Sequence, residues 1–282
     1  CRAQTSLFYY GDCARLRHSS RRYNLAHGGV DPAAPSAGRG RMEMDEQGTQ
    51  GEQTAPAATW LDLYDWRQRV ARLYTERAAV LMAGDDPAAV LQRFRAGKDA
   101  LFARHPQSPL DAAGRAAFSR LNYFPYDAAL RVEADLTPAE EAQGQETVQA
   151  PSSGPHAMPL TRAGRVTFTV AGTPAELTVY WIDVYGGGLF LPFRDATCPV
   201  ESYGAGRYLF DTVKGSDFAR LEGDTGGAGD SAMGYAGGRI VLDFNYAYNP
   251  SCAYDMRWVC PLAPRENWLA LPIRAGERNY DH

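Results

Sequence analysis

Nothing in this chain of 282 residues approaches the unbroken apolar run of about 20 residues that a membrane-spanning helix needs, so no bilayer span is expected. Paired CxxC motifs of the zinc-binding kind are absent. The five cysteines, at positions 1, 13, 198, 252 and 260, are odd in number and irregularly spaced, which is not a disulfide framework. There is no excess of basic charge either. The formal net charge is -4, whereas a nucleic-acid binder carries a basic patch or stripe, so nucleic acid is not an expected partner. The triplet Gly186-Gly187-Gly188 lies between two strand-like runs instead of leading into a helix, so it reads as a turn and not as a phosphate-cradling loop. These absences leave a globular chain of ordinary composition, 45% hydrophobic and 22% charged, long enough for a real core, and reduced cysteines place it in the cytoplasm.

The segment 1–57 has no sustained period and is polar and Arg-rich, reading as a disordered or non-native tail. It starts at Cys1. A lipidated Cys1 is one reading; a fragment or upstream-extended frame whose natural start is Met42 or Met44 is the other, and is preferred because no signal peptide is in view. Residues 58–121 carry helical spacing. Thr59 and Asp62 form a capping box ahead of the stripe Leu63, Trp66, Val70 and Leu73, and this helix should end near Gly84. Asp86 and Pro87 open a second helix with Leu91, Phe94 and Leu101 on its buried face, stopped at His105-Pro106. Asp111 caps a short third helix.

From residue 122 to 282 the pattern becomes β-rich. Leu130 and Val132 suit a strand, and the polar stretch 137–160, with a solvated His156, reads as a long exposed connection. VTFTV and ELTVYWIDV then alternate around GTP, GGGLFLPF and GAGRYLFDTV follow, and RIVLDFN and WLALPIRAG end the series. Pro192 should make its strand an edge or a bulge. Residues 215–238, rich in Gly, Asp and Ser, read as a flexible insertion. The expected fold is α+β, with N-terminal helices packed on a C-terminal antiparallel β-sheet or small β-barrel.

Two clusters carry candidate chemistry. In FRDATCPVESYGAGRY, Phe193 and Asp195 should share a face, with Asp195 either forming an Asx-type turn with Thr197 or meeting a ligand. In LDFNYAYNPSCAY, Asp243 and Asn245 should share a face and need partners if buried; they either brace the loop that Asn249-Pro250 begins or read a polar ligand. Cys252 has no sequence-adjacent base that would activate it as a nucleophile, and Cys252 and Cys260 read as reduced structural thiols or, failing that, a disulfide.

GGGLFLPFRDAT, ESYGAGRYL, LDFNYAYNPSCAY and CPLAPRENWLALPIRAGE resemble the bacterial and archaeal domain-of-unknown-function family 1684, as do RFRAGKDALF, SPL and LNYFPYDAALRV upstream. The resemblance runs from Trp60 to Glu277 and transfers no activity. It implies motif positions at Asp195, Thr197, Tyr203, Arg207, Asp243, Asn245, Asn249, Cys252 and Tyr254, placed around one concave region bordered by Pro261–Pro264 and Arg274–Glu277. On this basis the first expectation is a small polar ligand held in a pocket of the β-rich domain by Thr197, Tyr203, Arg207, Asn245, Asn249, Cys252 and Tyr254. The alternative is an enzyme with Asp195 or Asp243 as general acid or base and Arg207 holding an anionic group. A flavin-binding barrel is its narrower form, although no residue pattern names a cofactor or a metal. A third is a structural or interaction module exposing Tyr246, Tyr248, Tyr254 and Trp258.

Overall fold

The computed structural model describes residues 58–139, 146–220 and 238–281, with backbone only at 219–220. The expected N-terminal tail 1–57 and residues 221–237 of the expected 215–238 insertion lie outside the described residues. Helix α1 spans Trp60–Met82, and the capping box closes both ways: Thr59 N donates to Asp62 Oδ2 at 2.6 Å and Asp62 N donates to Thr59 Oγ1 at 3.2 Å. Helix α2, Pro87–Arg104, starts with Asp86 accepting from the amides of Ala88 and Ala89 and with proline in the first turn, where a missing N–H costs nothing. Helix α3, Ala112–Ala117, is capped by Asp111, which accepts from Gly114 N at 2.7 Å. Neither long helix is apolar enough to cross a membrane among the described residues.

The strands are β1 (Arg131–Pro138), β2 (Thr147–Ala150), β3 (Met158–Val170), β4 (Thr173–Ile182), β5 (Gly188–Phe193), β6 (Arg207–Asp211), β7 (Ala219–Arg220) and β8 (Gly238–Asp243). They form one curled, wholly antiparallel sheet in the order β6-β5-β4-β3-β1-β8-β7. The thirteen-residue β3 is its axis. One edge pairs with β4 along most of its length; the other serves β2 near its start and β1 near its end. Ala171 and Gly172, both at positive φ, make the two-residue turn between β3 and β4, the turn geometry whose twist suits a hairpin. Every second residue of β3 after Gly164 is buried, as the alternation predicts.

Two expectations need correction. The connection 137–160 is not all loop, because β2 and the start of β3 lie within it. Val148 and Met158 pack there beside Leu160 and Ile182, and this burial outweighs the polar composition. Of the two readings of Pro192 the bulge holds: its strand is paired on both sides, and the register shifts between Leu191 and Pro192. WLALPIRAG is not a strand. Ile273 and Ala275 are buried in the main core, but the backbone there is irregular and is held by single bonds such as Leu269 N to Arg194 O at 2.7 Å.

The main core joins both sheet ends through Leu136, Val166, Leu177, Leu191, Phe193 and Ile240, with Phe244 and Ile273 closing it. The helices dock through aromatics onto the segment after β8. Phe94 meets Tyr74 at 5.0 Å and Tyr246 at 4.8 Å, and Phe102 meets Tyr254 at 5.0 Å, all edge to face. That docking leaves a space between helices and loop.

Candidate functional site

β5 delivers Phe193 to the core and Asp195 just beyond it, and β6 opposite begins with Arg207. Both charged groups are fully buried. Arg207 Nη2 donates to Asp195 Oδ1 at 3.0 Å and to Ile273 O at 2.8 Å, and Nη1 donates to the carbonyls of Ala275 and Glu277. Asp195 Oδ2 accepts from Thr197 N at 3.1 Å, Thr197 Oγ1 at 2.8 Å and Ile273 N at 2.7 Å. The Asx-type turn foreseen at Asp195–Thr197 is therefore present, and the ion pair above it ties the irregular segment 273–277 to the sheet. Every oxygen of the carboxylate is engaged from within the protein. This is the arrangement of a clamp, since a buried charge persists only where such partners surround it.

Asp243 ends β8 and Asn245 begins the next turn. Asp243 Oδ1 accepts from Asn245 N at 3.1 Å and from Asn245 Nδ2 at 2.9 Å. The Asn245 amide also pairs with the backbone of Asp127 in both senses, accepting from its N at 2.9 Å and donating to its O at 2.8 Å. Bracing is thus the role these contacts describe. Burial raises the Asp243 carboxyl above the ordinary aspartate range, with the Asn245 bonds and the Arg77 and Arg131 charges opposing it.

Tyr203, Cys252, Trp258 and Cys260 pack together elsewhere, with Tyr203 Oη 3.6 Å from Cys252 Sγ. Both cysteines are free thiols. A hydrogen bond from the Cys260 thiol lowers Cys252 to about 6, with Ser153 and Tyr203 adding to it, while Cys260 is pushed far up in return. No group of three or more metal-ligating side chains occurs among the described residues.

The cavity lies at the helix–loop seam. α1 contributes Val70, Leu73 and Tyr74; α2 contributes Phe94, Lys98, Leu101 and Phe102; and Tyr248 to Ser251 with Tyr254 form the opposite wall. Its volume is about 640 Å³, counting the part open to solvent. Glu277 does not line the cavity but ties three of its lining residues together. It accepts from Lys98 Nζ at 2.5 Å, from Asn249 N at 2.7 Å and from the Tyr254 hydroxyl, while its own carbonyl takes Arg207. Lys98 also lies 4.6 Å above the Tyr248 ring, whose hydroxyl is 2.8 Å from Ser216 Oγ. The Asn249 amide donates to Arg278 O at 2.8 Å, and its Oδ1 is buried with no hydrogen-bond partner. Burial holds the Tyr248 and Tyr254 phenols far above their ordinary range, so both remain neutral donors. Gly276, at φ +74°, allows this approach, since a Cβ there would sit on the Ala247 carbonyl oxygen.

The nine motif residues do not share one concavity. Asn249 and Tyr254 line the cavity. Asp195, Thr197 and Arg207 form the clamp, Asp243 and Asn245 the brace, and Tyr203 and Cys252 the thiol cluster. The foreseen aromatic surface is not exposed: Tyr246, Tyr254 and Trp258 are buried. Sequence reasoning missed Lys98 as a site residue and named Glu277 only as part of the bordering segment Arg274–Glu277. Lys98 follows Phe94 by one helical turn, inside the apolar stripe, and an ion-capable residue inside such a stripe was the available signal.

A family model described as Protein of unknown function (DUF1684) matches residues 116–278. It includes the loop wall of the cavity but not the helical wall, and so is narrower than the resemblance from Trp60 onward. The solution NMR structure of an uncharacterized protein from Haloarcula marismortui is 34% identical, covering 67% of this chain and 91% of that one, with a TM-score of 0.45. No curated protein matches the chain.

Proposed function

The chain belongs to that family of unknown function, and we propose that it is a small-molecule-binding protein whose ligand occupies the cavity between α1, α2 and the loop from Tyr248 to Tyr254. The observation that carries this reading is the cavity's make-up. Apolar and aromatic walls surround a few convergent polar groups, among them a buried Asn249 carbonyl with no partner, and this is the usual composition of a ligand site. The ligand it fits has an aromatic or aliphatic body and one head that donates a hydrogen bond to Asn249 Oδ1 beside the Lys98–Glu277 pair. Free Cys198, Cys252 and Cys260 support a reducing compartment such as the cytoplasm.

The reading with Asp195 as acid or base draws no support from its geometry, because its oxygens already hold Arg207, Thr197 and Ile273. Asp243 has the raised pKa that a general acid needs, yet its contacts are with Asn245 and Arg131 and not with the cavity. Binding is therefore preferred to catalysis. Native mass spectrometry of the purified chain should show a bound small molecule, and the cavity-filling substitution Val70→Trp should abolish it. If no small molecule co-purifies and a library of aromatic and aliphatic amines and alcohols produces no melting shift that Val70→Trp removes, the proposal fails.

A further inference from the structure

α2 lines two spaces. Next to the face that meets the cavity, Gln92, Arg95, Ala96 and Asp99 border a separate open cleft, whose other wall is the segment 120–125 with Arg278. The cleft measures about 1030 Å³ counting its open part. Three arginines meet there in a chain whose net charge is -4.

Arg95 is the least expected of them. Its guanidinium lies 4.3 Å over the Tyr123 ring, and its Nε and Nη2 are sealed from solvent without an acceptor. Burial lowers its pKa, with Tyr123, Glu277, Tyr246 and Asp99 opposing the shift. Arg120 and Arg278 are exposed at the rim and form no ion pair among the described residues, with Arg278 lying 5.5 Å over Phe124. The one acid lining the cleft among the described residues, Asp99, is turned to the Leu121 amide at 3.1 Å and the Tyr123 hydroxyl at 3.5 Å, and burial raises its pKa. Nearby Asp281 is taken by the Asn122 amide at 3.0 Å. Among the described residues Glu277 and Asp99 act on Arg95 through space, but neither forms an ion pair or hydrogen bond with it, and its planar fork is the group best matched to a multi-oxygen anion.

We propose that this cleft binds a phosphorylated small molecule, with the exposed Arg120 and Arg278 meeting the phosphate oxygens and the half-buried Arg95 adding its charge from the cleft wall. Three forks suit a group with three or more acceptor oxygens better than a single carboxylate. The site is independent of the helix–loop cavity, although Asn249 and Arg278 share a hydrogen bond between the two.

The probe is sodium pyrophosphate, titrated into the full chain at constant ionic strength and followed by calorimetry and melting temperature, with sodium chloride and citrate as parallel arms. Saturable binding is expected with pyrophosphate and not with chloride. Arg120→Glu, a change at an exposed residue, should weaken it at least tenfold with an unchanged circular dichroism spectrum, and Arg95→Met should weaken it as well. Val70→Trp should leave it intact, which separates this site from the cavity. The proposal is overturned if the response does not exceed that of matched chloride, if citrate binds more tightly than pyrophosphate, or if Arg120→Glu binds like the parent chain.

Discussion

Asp195→Ala tests the clamp that holds segment 273–277 against the sheet. The substitution leaves the fully buried Arg207 with carbonyl partners only, and strips the Thr197 and Ile273 amides of their acceptor. Removing one partner of a buried ion pair costs about 3–5 kcal/mol, and each orphaned donor about 1–3 kcal/mol. The three carbonyls that still accept from Arg207 retain part of its solvation, so these terms overlap and the lower range is the better guide. Set against a total stability of about 5–15 kcal/mol, the loss is a large fraction. With an m-value of about 2 kcal/mol/M, the urea midpoint should fall by about 2 M. Urea titration followed by circular dichroism measures this directly. The double variant Asp195→Leu/Arg207→Met should then be more stable than the sum of its two single changes, since no charge remains buried. A midpoint drop below about 0.5 M in Asp195→Ala, with the usual m-value, would refute the reasoning, as would strict additivity of the double variant.

Asp211 is buried with neither carboxylate oxygen in a well-formed hydrogen bond, the Val213 and Lys214 amides lying close by, and burial raises its pKa from 3.8. An acid whose folded pKa lies above its unfolded one keeps its proton in the native state, so its contribution to stability is full below 3.8 and is lost as pH rises through the raised value. Asp211→Asn should remove that decline and raise the melting temperature at neutral pH; an unchanged pH profile would contradict it. Cys252 is held near 6 by the Cys260 thiol, so Cys260→Ala should return it toward 9 and slow its alkylation by iodoacetamide at pH 7 more than about tenfold. Equal alkylation rates in the two chains would count against the pairing.

What could be read from the sequence and what could not divides along sequence separation. Thr59 with Asp62 and Asp86 with Pro87 announce their helices because capping is local chemistry, complete within four residues. The β3–β4 hairpin shows in its alternation for the same reason. WLALPIRAG carries a strand-like pattern, but no neighbour offers it a ladder. Its apolar residues are spent on filling the core, and periodicity alone does not separate the two uses. The site was harder still. Lys98 and Glu277 are 179 positions apart, and nothing near either one predicts the other. Asp195 and Arg207 stand twelve residues apart in one polar cluster of the sequence, yet only three dimensions reveal that they answer each other.

The long third strand also bears on the order in which the chain assembles. Its pairing with β4 closes over a two-residue turn and costs little loop entropy, so this hairpin should form early. Pairing β1 with β8 joins Arg131 to Asp243 and costs far more, and it can seal only after β3 offers β1 its free edge. The seam between β1 and β8 is therefore the last to close and, by the same accounting, the first to open. Amide hydrogens along it should exchange ahead of those between β3 and β4. The strand that orders the sheet would then be its template as well as its centre.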